Sequence, residues 1–129
     1  MTAIRRFEDL EAWKIARELT KDIYQLTRKD RFARDFGLKD QICRSSVSIM
    51  SNVAEGFERD GDKEFVNFLS IAKGSAGETR SLLYVAMDQN YITESEFALV
   101  SSRAIENSRV ISGLSGYLKQ SEFKGRKFK

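Results

Sequence analysis

Histidine and proline are both absent from this 129-residue chain, and cysteine occurs once, at Cys43. Without histidine the chain lacks the commonest general base, the usual metal ligand and the base of an ordinary serine or cysteine triad. The Glu-x-x-His motif of di-metal helical bundles cannot be written either. One cysteine forms no internal disulfide, and Cys43 falls on the apolar side of its helix, as a small core residue rather than a nucleophile. The missing proline, together with only 8 glycines, favours long uninterrupted helices. No apolar run approaches the ~18 residues of a membrane span, and the first residues carry Arg5 and Arg6 with no apolar core of signal-peptide length. Gly74-Ser-Ala-Gly77 is mid-helix and lacks the lysine of a phosphate loop. These absences lead us to expect a soluble, cytoplasmic protein that is not an enzyme, with no cofactor, no metal and no membrane partner.

What is present is charge and helical periodicity. Charged residues make up 32% of the chain, and the net charge of +3 is concentrated in Lys119–Lys129, which holds five basic residues and one acid. The preceding body is close to neutral. We expect one domain over residues 1–120 and a basic, disordered tail over 121–129.

Four amphipathic helices are expected. The first runs from about Asp9 to Lys29 on the stripe Ala12, Ile15, Ala16, Leu19, Ile23 and Leu26. A charged link over Asp30–Phe36 leads to the second, which begins near Gly37, buries Leu38, Ile42, Ile49, Val53 and Phe57, and stops between Gly56 and Gly61. The third is capped by Asp62 or a neighbour and carries Phe65, Phe68, Leu69, Ala72, Ala76, Leu82, Leu83, Ala86 and Met87 to about Asn90. Thr93 and Glu96 form a capping box for the fourth, with Phe97, Val100, Ala104, Ile111, Leu114 and Leu118 as its stripe. Short links between helices of similar length predict an all-α, antiparallel up-and-down four-helix bundle.

The opposite faces carry the candidate functional residues. At ~100° per step, Arg44, Ser48, Asn52, Glu55 and Arg59 fall in one polar sector of the second helix. That sector is either a solvated face, stabilised by Glu55 and Arg59 at i,i+4, or a subunit or ligand contact. On the third helix Ser70, Gly74, Gly77 and Ser81 form a small-residue groove. A mid-helix glycine costs about 1 kcal/mol relative to alanine, which close approach of another helix would offset, so we expect a homo-oligomer seam there; a bend is the competing explanation. Leu10, Trp13 and Tyr24 widen the apolar sector of the first helix beyond one bundle's needs and imply a second contact. Beside them Lys14, Arg17, Lys21 and Arg28 form a basic stripe able to follow a phosphate backbone, unless Glu11, Glu18 and Asp22 neutralise it by intrahelical pairing. Lys124, Arg126 and Lys127 in the tail extend the nucleic-acid-binding set.

Several of these residues carry a resemblance. Asp9-Leu-Glu-Ala-Trp13, Gly37-Leu38 with Gln41, Arg44 and Ser45 to Ile49, the motif Ser48-Ile-x-x-Asn52-Val-Ala-Glu55-Gly56, and Phe65 to Ser75 are similar to the bacterial proteins encoded in intervening sequences of large-subunit ribosomal RNA genes, often labelled ribosomal proteins. The likeness spans Phe7 to Leu118. It implies a four-helix bundle assembled into a pentamer, with Arg44, Ser48, Asn52, Glu55 and Gly56 as motif residues. The same family includes the accessory variability determinant of diversity-generating retroelements, which implies RNA or a reverse transcriptase as candidate partners. Where relatives often have Phe-Pro before the second helix, this chain has Arg31-Phe32-Ala33.

Overall fold

A computed structural model describes residues 4–127, and the side chains as far as Gln120. A 3-10 turn, Phe7–Asp9, precedes α1 (Glu11–Leu26), α2 (Asp30–Arg34), α3 (Phe36–Glu58), α4 (Asp62–Asp88) and α5 (Glu94–Lys127). No strand occurs among the described residues. Helices α1 and α4 each pack on both α3 and α5, so the four long helices close a bundle with α1 diagonal to α4. The predicted stripes meet at its centre: Leu19, Ile23, Ile42, Ile49, Leu69, Leu83 and Ile111 are fully buried.

The helix ends follow from local chemistry. Asp35 caps α3 by accepting from the Leu38 N–H at 3.1 Å. Asp62 lies in the first turn of α4 and the cap is its neighbour Gly61, at φ +96°, a conformation that favours glycine. Asn90, at φ +60°, turns the chain out of α4. At the start of α5 the capping box closes as expected: the Glu96 N–H donates to Thr93 Oγ1 at 3.0 Å, and the Thr93 N–H donates to Glu96 Oε1 at 2.8 Å.

Two segments differ from the sequence expectation. The link before α3 folds into the short helix α2, because Phe32 is driven into the core, where it is fully buried and stacks on Tyr91 with ring centroids 5.4 Å apart. The backbone of α5 continues to Lys127, through the segment assigned to the tail. Lys124, Arg126 and Lys127 lie outside the residues whose side chains are described.

Candidate functional site

Helix α3 meets α4 along a line of hydroxyls. Ser45 Oγ and Thr79 Oγ1 share a buried hydrogen bond of 2.7 Å, and one turn on, Ser48 Oγ and Ser75 Oγ lie 2.9 Å apart. Asn52 Nδ2 donates to the Ser48 carbonyl at 2.8 Å and to its hydroxyl at 3.0 Å. The line ends at Gly56, which is buried because the helices nearly touch there. A Cβ on Gly56 would sit 2.7 Å from Phe68 Cβ and 2.9 Å from Phe65 Cδ1. The polar sector expected on α3 is therefore split. Ser48 and Gly56 face α4 of the same chain and Asn52 is half-buried and bonded to Ser48, whereas Arg44 and Glu55 are exposed, paired with Asp40 at 2.9 Å and with Arg59 at 3.0 Å.

The outer face of α4 is different. Ser70, Gly74, Gly77 and Ser81 are all exposed, and a Cβ at Gly74 or Gly77 would meet no atom within 4 Å. Ile71, Tyr84 and Val85 are exposed on the same helix. Helix α4 runs as a single element through both glycines.

On α1 the three expected contact residues part company, and Leu10 is buried in the core of its own chain. Trp13 is half-buried against its own chain, edge-on to Phe7 at 5.3 Å and covered by the Arg17 guanidinium at 5.7 Å. Tyr24 is exposed, beside a shallow groove of about 680 Å³ that also includes Phe36 and Cys43. Cys43 is half-buried, with Sγ 3.9 Å from Thr27 Oγ1. Lys14, Arg17, Lys21 and Arg28 are all exposed. Lys21 lies 3.6 Å from Glu18, and Arg17 is occupied by Trp13. Lys14 and Arg28 make no ion pair among the described residues.

At the end of the bundle, ionic contacts tie the α1–α2 link to the α4–α5 turn. Lys29 pairs with Glu96, whose carboxyl is held below the usual range by that ammonium and by the Thr93 N–H. The Tyr91 hydroxyl donates to Asp35 Oδ2 at 2.9 Å. This bond to the carboxylate raises the phenol above its ordinary value, and burial raises it further. Arg103 pairs with Asp22 between α5 and α1. No group of three or more Asp, Glu or Cys is placed to hold a metal ion among the described residues. No helix among them is long and apolar enough to cross a membrane.

The buried features that sequence reasoning missed include Phe32, the Ser45–Thr79 pair, and Asn107, which is fully buried and donates from Nδ2 to the Ala12 carbonyl at 2.9 Å. Phe32 was readable as a large apolar residue in a charged link. The polar ones gave no signal on their own.

The fold is shared with a known protein. A crystal structure from Bacteroides thetaiotaomicron, described as a protein of unknown function from the S23 ribosomal protein family, superposes with a TM-score of 0.74 at 23% identity, over 81% of this chain and 97% of that one. Comparison with curated proteins gives no match. The model of the 23S rRNA-intervening sequence proteins matches residues 8–113, which takes in Trp13, the α3–α4 seam, both α4 glycines and most of α5. On that match, the chain belongs to the 23S rRNA-intervening sequence protein family.

Proposed function

We propose that the protein works without catalysis in the bacterial cytoplasm, as a self-assembling helical bundle whose assembled surface binds RNA. The observation that carries this reading is the outer face of α4. Its two mid-helix glycines each cost about 1 kcal/mol relative to alanine, and open space in front of both means that nothing in their own chain offsets it. A helix of a second copy lying along Ser70, Gly74, Gly77 and Ser81 would offset it by close backbone approach. Ile71, Tyr84 and Val85 supply apolar area beside that line. Repeated around a closed ring, such a contact gives the pentamer that the family resemblance implies. Exposed Lys14 and Arg28, together with the basic C-terminal sequence, supply the charge for RNA.

Sedimentation tests the assembly. The wild-type chain is expected to sediment as an oligomer, and the double substitution Gly74→Leu, Gly77→Leu as a monomer of unchanged helical circular dichroism. A monomeric wild type would refute the seam. RNA affinity should fall steeply between low and moderate salt, and absence of binding at both would remove the RNA half of the proposal. A second reading, a scaffold for a partner protein, draws on the groove beside Tyr24, where Phe36 is 76% exposed. A partner retained after nuclease treatment would favour it.

A further inference from the structure

The groove between the first half of α4 and the last described turns of α5 differs in charge from three other large grooves on the molecule. It encloses about 610 Å³, and its polar lining is Asn67, Ser70 and Lys73 from α4 with Ser112, Ser115 and Lys119 from α5, over an apolar floor. No carboxylate among the described residues lines it. The other three carry, respectively, Asp40; Asp30, Asp88 and Glu94; and Asp35.

Lys73 is the decisive residue. Three and four positions away on its helix are Leu69, Ser70, Ala76 and Gly77, so no acid is within intrahelical reach, and Lys73 makes no ion pair among the described residues. No side-chain hydrogen bond among those residues engages Ser112 or Ser115. The Lys73 ammonium and the Ser112 and Ser115 hydroxyls, from two helices, are donors without an acceptor among the described residues, and Lys119 lines the same groove. A phosphate group has the charge and the oxygens to accept from several of them at once. The space exceeds a bare phosphate, and the apolar floor suits the body of a larger molecule carrying one.

We propose that this α4–α5 groove is a phosphate-binding site, taking either a free phosphomonoester such as a nucleotide or a phosphodiester of an RNA strand. It is separate from the α1 basic stripe, where Lys21 already has a carboxylate partner.

Titration calorimetry of the full chain with adenosine 5′-monophosphate, and separately with a short oligouridylate, distinguishes the two sources. Binding of the monophosphate identifies a free phosphomonoester; binding of the oligonucleotide alone identifies the strand. In either case Lys73→Gln and Lys119→Gln should each weaken binding roughly tenfold, as expected for loss of one charged hydrogen bond, while Lys63→Gln, at an exposed position outside both the groove and the α1 stripe, leaves it unchanged. Both lysines are exposed, so these variants should fold, and unchanged sedimentation checks that assembly is intact. Failure of both probes to bind overturns the proposal. So does oligonucleotide binding that is lost with Lys14→Gln but kept with Lys73→Gln, an outcome that would leave the RNA reading standing on α1.

Discussion

Alanine at Gly56 tests the closest approach in the fold. A new Cβ would lie 2.7 Å from Phe68 Cβ, an atom fixed to the α4 backbone and unable to rotate away. It would also lie 2.9 Å from the Phe65 ring, which is held edge-on to Phe57 at 6.0 Å. The two helices must therefore separate by several tenths of an ångström, and the hydroxyl pairs along the same line loosen with them. Overpacking of this kind costs about 1–3 kcal/mol, against a gain of about 1 kcal/mol in helix propensity. Gly113→Ala supplies the reference, because it has the same propensity gain on α5 and meets nothing within 4 Å. Subtracting one variant from the other removes propensity and leaves the packing term, about 1–3 kcal/mol. In urea this should separate the two midpoints by on the order of 1 M, Gly113→Ala above the wild type and Gly56→Ala below Gly113→Ala. Protein concentration must be held fixed, since assembly adds to apparent stability. If both substitutions raise the midpoint equally, α3 and α4 do not touch at Gly56 and the packing described for the seam is wrong.

Other outcomes follow from named contacts. A double-mutant cycle on Ser45→Ala and Thr79→Val should give a coupling of about 0.5–1.5 kcal/mol from urea midpoints, because the 2.7 Å bond between them is buried; additive effects would mean that the two hydroxyls do not interact. Glu96 has a folded-state pKa below its unfolded value, so its stabilising contribution is complete above about 4.5 and is lost as pH falls through the lowered native value. The stability gap between wild type and Glu96→Gln should accordingly be widest near neutrality and narrow on acidification. A gap independent of pH would rule out the Lys29–Glu96 pair as its source.

The apolar stripes were legible because period alone identifies them, and every residue of the α1 stripe is buried in the bundle. Helix ends were legible where a side chain writes them, as at Thr93 and Glu96. Phe32 was not assigned to the core because its neighbours are charged, and burial of one ring outweighed the polarity of a link that then folded as α2. Gly56 was legible as a place where a helix stops. The close approach that makes its lack of a side chain necessary depends on Phe68, twelve residues further along the chain, in the next helix.

The α3 polar face shows why a helical wheel misjudges a bundle. The wheel defines one buried direction, from the mean of the apolar residues, and everything opposite is assigned to solvent or to a foreign surface. Each helix of a four-helix bundle has two neighbours, so its covered arc is wider than its apolar stripe. The margins of that arc can hold serine, threonine or asparagine, provided the adjacent helix supplies partners. Ser75 and Thr79 on α4 supply them for Ser48 and Ser45. The same geometry separates the small-residue line of α3 from that of α4. On α3 the line ending at Gly56 is filled by the chain's own α4, so its conservation of space is accounted for within one copy. On α4, Gly74 and Gly77 open onto nothing in the chain itself. It is that difference in occupancy, rather than the presence of small residues, that directs the search for a partner to α4 rather than to α3.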